Sequence, residues 1–285
     1  MLYLESIVFP DPDREFDFLL GQKRTCYDSF YPFKVLSSRG LERLDFEPLT
    51  ILCGGNGTGK TTALNVIAEC LGGERQSAYN KSNFFQDYVD LCRISTRGPA
   101  VPCRILTSDD VFDYMLDIRT LNEGIDRKRE DLFEEYLDAR YSRFQLKSIE
   151  DYEHLKKSNL AKSKTQSRFV RHMLMDNAPE RSNGESAFLY FTQRIGENGI
   201  YLLDEPENSL SPARQMELAT FLEDSVRFFG CQFIVSTHSP FLLAMHDAKI
   251  YDLDTNPVSV KRWTQLAHVR AYYRFFREHQ SELED

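Results

Sequence analysis

Residues 54–61 read Gly-Gly-Asn-Gly-Thr-Gly-Lys-Thr. They follow the apolar run Leu49–Cys53 and lead into Lys60–Leu71, whose apolar residues recur at helical spacing. The spacing of Gly54, Gly59, Lys60 and Thr61 is that of a loop whose backbone N–H groups converge on phosphate oxygens, because glycine adopts the backbone angles that convergence requires. Lys60 is then placed to reach the β- and γ-phosphates, and the Thr61 hydroxyl to hold Mg²⁺. The start of the following helix turns its positive dipole end to the same point. Gly54, Gly55, Asn56, Gly57, Thr58, Gly59, Lys60, Thr61 and Thr62 are therefore the candidate nucleotide-binding positions. The pattern arises by accident in about one per cent of chains of this length, and an accident would also have to fall between a strand and a helix.

A phosphate loop of this kind needs a carboxylate near its metal. Tyr201-Leu202-Leu203-Asp204-Glu205-Pro206 supplies one. The apolar run carries Asp204 to the C-terminal end of a strand, where ligands bind in open parallel sheets. Asp204 is the candidate metal ligand, and Glu205 is placed to orient or deprotonate a water that attacks the γ-phosphate.

Along the chain, Leu2–Phe9, Phe33–Leu36, Leu49–Cys53, Cys103–Thr107, Gly199–Leu203, Gln232–Ser236 and Ile250–Leu253 read as strands. Lys60–Leu71 ends at Gly72-Gly73, a helix stop. Asp110 to about Arg171 is mostly helical, a further helix starts near Ser182, and Pro212–Phe228 is another. Leu266–Phe276 has Val269, Tyr272, Tyr273 and Phe276 at i, i+3, i+4, i+7 spacing, which predicts a helix docked on the core rather than on a partner. Strands alternating with helices imply an α/β fold with a mainly parallel central sheet, N-terminal antiparallel strands and a helical insertion. The expected organisation is an N-terminal lobe with the phosphate loop (1–109), a helical insertion (110–180) and a C-terminal lobe (181–285).

Taken in order, these motifs resemble the ABC-type ATPases, P-loop nucleotide hydrolases. Ser182-Asn183-Gly184-Glu185, 22 residues before Asp204, resembles the family's signature Leu-Ser-Gly-Gly-Gln/Glu, with Arg181 and Asn183 departing from it. Ser-x-x-Glu is also a capping-box spacing, and the two readings are compatible. In the family the signature serine and glycine, here Ser182 and Gly184, bind the γ-phosphate held by the other subunit. Ser236-Thr237-His238-Ser239-Pro240 carries His238 at the position of the family's switch histidine. Asn208-Ser209-Leu210-Ser211-Pro212 resembles the dimer-contacting D-loop, with Ser211 in place of its aspartate. No glutamine follows Cys103–Thr107 where the family places its metal-contacting Q-loop residue. Asp109 is the candidate there, with a plain helix cap as the other reading. The phosphate-loop and Asp-Glu-Pro-Glu segments are similar to the SMC, RecF and OLD-like soluble ATPases, and to the small bacterial "AAA family" ATPases that include subunits of anti-phage systems.

That resemblance implies ATP and Mg²⁺ as cofactors, Glu205, His238 and Lys60 as catalytic residues, and Thr61, Asp204 and Asp109 around the metal. It also implies an ATP-dependent head-to-tail homodimer or higher homo-oligomer. The expected function is ATP hydrolysis coupled to nucleic acid or to anti-phage defence. The alternative is an ATP-switched subunit that controls a separate toxin or nuclease effector. A transporter subunit fits the motif style poorly.

Composition narrows this further. The chain is 41% hydrophobic and 28% charged, with a net charge of -9, which suits a soluble globular protein and not a general nucleic-acid binder. No apolar run approaches a membrane span, and no signal peptide is visible, so a cytoplasmic protein is expected. Cys26, Cys53, Cys70, Cys92, Cys103 and Cys231 are scattered, which fits reduced thiols and no zinc site. The stretch from Arg140 to Arg171 is locally basic, with Arg143, Lys147, Lys156, Lys157, Lys162, Lys164 and Arg168 against Glu150, Asp151 and Glu153. It reads either as a surface for nucleic acid or an acidic partner, or as a solvated helical face.

Overall fold

The computed structural model describes residues 1–23, 26–141, 152–179 and 182–284. In chain order the strands are β1 (Leu4–Val8), β2 (Arg43–Asp45), β3 (Leu49–Cys53), β4 (Arg93–Thr96), β5 (Cys103–Thr107), β6 (Ile200–Asp204), β7 (Gln232–Ser236), β8 (Lys249–Asp252) and β9 (Ser259–Lys261). The helices are α1 (Pro12–Gly21), α2 (Lys60–Cys70), α3 (Phe85–Leu91), α4 (Ser108–Tyr141), α5 (Tyr152–Ser163), α6 (Gln166–Met173), α7 (Asn183–Arg194), α8 (Pro212–Phe228), α9 (Pro240–Leu243), α10 (Ala267–Glu278) and α11 (Gln280–Leu283).

The chain forms two units, residues 1–111 with 183–285 and residues 112–182. The first is α/β. Its main sheet has the order β5-β6-β7-β3-β8-β9. Every neighbouring pair in it is parallel except β8 with β9. Strands β3, β6 and β7 are buried along their whole length, which is why they read as unbroken apolar runs rather than as alternation. A second, antiparallel sheet has the order β2-β1-β4. Gln232 at the start of β7 ties the two together: its Oε1 accepts from the Tyr3 and Leu4 amides, both at 2.8 Å, and its Nε2 donates to the Leu4 carbonyl at 2.8 Å. Helix α2 sinks Ala63, Leu64, Val66, Ile67 and Ala68 into the core. Ser211, the departure from the D-loop pattern, caps α8 by accepting from the Arg214 amide.

The second unit packs Leu132 and Tyr136 of α4 against Ala161 of α5 and Phe169 and Val170 of α6. Of the basic stretch, Arg143, Lys147, Glu150 and Asp151 lie outside the described residues, as does the Glu153 side chain. Within the described part, Lys157 is paired with Glu135 at 2.6 Å, while Lys156, Lys162, Arg168 and Arg171 are exposed. No helix among the described residues is long and apolar enough to cross a membrane.

Two expectations need correction. Phe33–Leu36 is not a strand but a run of turns, with Phe33 N–H on the Phe30 carbonyl, Val35 N–H on the Pro32 carbonyl and Lys34 at φ 66. Phe33 and Leu36 reach the core from this turn, so their burial imitates a strand pattern. The aromatic stripe of α10 is not core either. Val269 is buried, but Tyr272, Tyr273 and Phe276 are 45%, 59% and 55% exposed. The helix docks through its first turn only, and every residue from Arg270 to Glu278 is exposed. The thiols are free: Cys53, Cys103 and Cys231 are buried, Cys70 and Cys92 half-buried, and Cys26 exposed. Burial pushes Cys53 and Cys103 up to about 12, which leaves both as unreactive thiols.

Candidate functional site

Parallel strands in register bring their C-terminal ends to one edge. Asp204 lies opposite Thr107 of β5 and Ser236 of β7, and Ser236 lies opposite Leu52 of β3. The loop that leaves β3 turns over this edge. Gly57 and Gly59 hold φ of 78 and 94, angles that L-residues rarely adopt, and Gly59 caps α2. A Cβ on Gly54 would come within 2.8 Å of Thr58 Oγ1, and that hydroxyl closes the loop by donating to the Gly55 carbonyl at 2.9 Å. Residues 56–62 and Glu205 line a cleft of about 180 Å³. Asp254, just past β8, steadies the loop from outside by accepting from the Gly55 amide at 2.9 Å.

Lys60 is 4% exposed and donates to the Gly54 and Gly55 carbonyls at 2.7 and 3.1 Å. Its ammonium lies 3.3 Å from Glu205 Oε1. Glu205 sits in the left-handed region at φ 47, ψ 53, a conformation that costs energy in a residue with a Cβ and persists where surroundings enforce it. Its amide donates to the Ser236 carbonyl at 2.9 Å, and Asn208 Nδ2 donates to its Oε2 at 3.0 Å. Burial raises the Glu205 carboxyl, but the Asn208 amide and the Lys60 charge outweigh it, so the group stays ionised below the usual carboxylate range.

Asp204 differs. It is 9% exposed, and its Oδ1 has no hydrogen-bond partner among the described residues. Burial raises its carboxyl above the ordinary range, with the Ser236 and Thr61 hydroxyls pulling the other way and the Glu205 charge adding to the rise. A buried carboxylate oxygen without a donor, beside the Thr61 hydroxyl, fits a hard divalent cation such as Mg²⁺. Among the described residues no three His, Cys, Asp or Glu side chains come together.

Pro206–Ser209 form a short turn that carries Glu207 back under the edge. Glu207, 6% exposed, accepts at Oε1 from Thr237 Oγ1 at 2.6 Å and from the His238 amide at 2.8 Å. His238 Nδ1 lies 3.3 Å from the same oxygen, with the ring 46% exposed. Glu207 escaped sequence reasoning because a second acid after Asp-Glu-Pro reads as surface charge; only the fold shows it buried.

The remaining candidates scatter. Asp109 is exposed in the first turn of α4, while the neighbouring Asp110, 2% exposed, accepts from the Thr107 amide at 2.7 Å and the Ser77 amide at 2.8 Å. Ser182 is exposed and immediately precedes α7. Gly184 is the second residue of α7, where a Cβ would meet the Ser209 carbonyl at 3.7 Å. Arg181 lies outside the described residues. Tyr31, which no motif marked, donates to Thr62 Oγ1 at 3.0 Å, and His268 Nε2 stands 3.9 Å from the sulfur of Cys53, the residue before the loop.

No curated protein matches this sequence. Among solved structures, the chain is similar to the Smc head domain with an extended coiled coil from Pyrococcus furiosus, solved bound to the C-terminal domain of ScpA. The two are 14% identical, covering 96% of this chain and 100% of that one, with a TM-score of 0.46. For the SMC head domain of Thermotoga maritima the identity is 11%, the coverage 92% and 99%, and the TM-score 0.35. For a dimeric ATP-binding cassette in a post-hydrolysis state bound to ADP and Pi they are 13%, 79% and 91%, and 0.34. Residues 101–244, half of the chain, match the family described as "AAA domain, putative AbiEii toxin, Type IV TA system". That span contains Asp204, Glu205, Glu207 and His238, and the phosphate loop precedes it. With the parallel sheet, the loop and the strand-end carboxylates in this order, the chain belongs to that AAA family.

Proposed function

We propose that this chain binds ATP with Mg²⁺ and hydrolyses it, in a head-to-tail dimer in which each copy completes the other's site. The observation that carries this reading is the pairing of Lys60 with Glu205 beneath the phosphate loop, next to a buried Asp204 whose Oδ1 lacks a donor among the described residues. Residues 54–62 hold the triphosphate, with Lys60 leaving Glu205 for the β- and γ-phosphates. Thr61 and Asp204 would hold the metal, with Asp109 as a further candidate, and Mg²⁺ bound there would supply positive charge against the phosphates. Glu205, kept ionised and freed from Lys60, orients the attacking water and takes its proton, while His238 contacts the γ-phosphate end of the site. Ser182 and Gly184 of one copy face the γ-phosphate of the other. Binding and dimerisation are then one event, and loss of the γ-phosphate loosens the pair.

The test is Glu205→Gln. With Mg²⁺ and ATP this variant should retain unhydrolysed ATP and run as a dimer in size-exclusion chromatography, and Ser182→Arg added to it should return the monomer. A Glu205→Gln variant that stays monomeric at saturating ATP, together with a wild type that releases no phosphate, refutes the reading.

A second reading is that the same cycle switches a separate toxin or nuclease effector in the cytoplasm, in anti-phage defence. The toxin–antitoxin wording of the family description and the exposed aromatic face of α10 favour it. The first reading couples ATP instead to nucleic acid through the Arg140–Arg171 stretch, and DNA-stimulated hydrolysis that is lost on reversing Lys156, Lys162 and Lys164 separates the two.

A further inference from the structure

Glu207 lies two residues past Glu205, and its carboxylate is spent on the loop that carries the candidate switch histidine. A carboxylate only accepts hydrogen bonds. Nδ1 of His238, 3.3 Å from Glu207 Oε1, therefore meets it favourably only when Nδ1 bears the proton. The same oxygen holds the Thr237 hydroxyl at 2.6 Å and the His238 amide at 2.8 Å, so the ring and its own backbone are clamped to one atom. Glu207 is itself fixed, since its backbone carbonyl accepts from Gln215 Nε2 at 3.4 Å and its turn is closed by the Leu210 amide on the same carbonyl at 3.0 Å. Thr237 is anchored from β3 through its amide on the Leu52 carbonyl at 3.2 Å.

We infer that Glu207 is a positioning residue that holds His238 in the Nδ1–H tautomer and leaves Nε2 as an acceptor. The consequence is chemical. A neutral His238 then cannot donate to a phosphate oxygen. Its free nitrogen accepts a hydrogen bond from a water O–H, and it becomes a phosphate donor only after gaining a second proton. The nitrogen that is protonated is set by the partner of the other one. The turn 206–209 thereby links two groups at the γ-phosphate end: Asn208 steadies Glu205 and Glu207 steadies His238.

The tautomer can be read without ATP, so its failure is distinct from failure of the proposed function, on which only the kinetic arm rests. Long-range ¹H–¹⁵N spectra of the full chain with labelled histidine rings, at a pH where the rings are neutral, should show one residue with a protonated Nδ1. Its signals should vanish in His238→Gln. An unconstrained imidazole prefers Nε2–H, and Glu207→Ala should return His238 to that form, whereas Glu207→Gln, which keeps an acceptor oxygen, should retain Nδ1–H. A wild-type His238 with Nε2–H overturns the inference, as does a tautomer unchanged in a folded Glu207→Ala; if that variant does not fold, the wild-type spectrum alone decides. In the kinetic arm, Glu207→Ala should lower kcat at least about tenfold with little change in KM. Combining it with His238→Ala should add nothing, because one residue acts through the other. Multiplicative losses in that double variant would remove Glu207 from the role.

Discussion

Lys60 Nζ stands 3.3 Å from Glu205 Oε1 and 2.7 and 3.1 Å from the Gly54 and Gly55 carbonyls, so the candidate phosphate-binding ammonium is held by three oxygens of its own site. Lys60 is almost wholly buried, which lowers the effective dielectric and strengthens the pairing. In the proposed function, a triphosphate outcompetes Glu205 for Lys60 and in doing so releases the carboxylate. Lys60→Ala removes the cation and leaves Asp204 and Glu205 adjacent without compensation. Hydrogen bonds to charged groups contribute about 1.5–3 kcal/mol, so nucleotide affinity should fall roughly ten- to a hundredfold. Titration calorimetry with a slowly hydrolysed ATP analogue measures this, and undiminished affinity would place the phosphates elsewhere.

Asp204 carries the opposite expectation for stability. Its carboxyl is raised by burial, and Oδ1 finds no donor among the described residues. Asp204→Asn keeps the shape and removes the buried charge. Without ligand the variant should be more stable than wild type at neutral pH by about 1 kcal/mol, a melting temperature higher by roughly 2–4 °C. The stabilisation that Mg²⁺ and ATP give the wild type should be lost. Thermal melts with and without the pair of ligands test both halves; a variant less stable without ligand would mean that Asp204 is structural.

Gln232 makes a purely structural prediction. It is fully buried, and its side-chain amide accepts from the Tyr3 and Leu4 amides and donates to the Leu4 carbonyl. Gln232→Leu matches its bulk but strands all three backbone groups. Each unsatisfied buried group costs about 1–3 kcal/mol, so a loss of roughly 3 kcal/mol, on the order of 10 °C in melting temperature, should appear in denaturant and thermal unfolding. A loss under about 1 kcal/mol would show that β1 holds its place without this amide.

The part of the fold that was legible is the part where sequence pattern and burial coincide. β3, β6 and β7 are buried on both faces, so each is an apolar run bounded by polar residues, and the loop after β3 announces itself by its glycines. α8 is framed by Ser211-Pro212, a cap and a first-turn proline. β4 was not legible because all four of its residues are exposed; it is a strand only because β1 offers it a ladder. The α10 stripe has the right period but lacks a surface beneath it beyond Val269, a fact of tertiary placement that periodicity does not contain. Within the candidate site, residue types at fixed spacing pointed to the phosphate loop, Asp204, Glu205 and His238, and the fold brings the loop and the two carboxylates to one sheet edge. Glu207, Asn208 and Asp254 hydrogen-bond to His238, Glu205 and the loop through distances set by the turn after β6 and the end of β8, which spacing alone does not contain. Asp109 and Asp110 are alike in sequence as adjacent carboxylates at a helix start, and only the fold shows that Asp110 is the one that faces inward.

Glu15 connects a distant helix to the phosphate loop and gives a pH dependence of defined sign. It is 2% exposed, its Oε2 accepts from the Lys34 amide and the Ser37 hydroxyl, both at 2.8 Å, and its Oε1 is buried without a partner among the described residues. These bonds hold the turn in which Lys34 keeps φ 66, and that turn presses Leu36 and Val35 on the loop: a Cβ on Gly59 would meet Leu36 Cδ2 at 3.0 Å. Burial raises the Glu15 carboxyl, and the hydrogen bonds from Ser37 and the Lys34 amide offset this only in part. With the folded value above the unfolded one, the native state binds the proton more tightly. Stability from this group is then fully present below the ordinary carboxylate range, near about 4.3, and is lost as pH rises through the folded value. Glu15→Gln retains an acceptor for both donors and never ionises. From pH 4 to pH 8, wild type should therefore lose stability relative to Glu15→Gln, with the difference opening in the acid part of the range and constant above it. Urea midpoints measured across that interval decide it: parallel curves, or a variant that falls below wild type as pH rises, would mean that the carboxylate is better solvated in the folded chain than its burial implies.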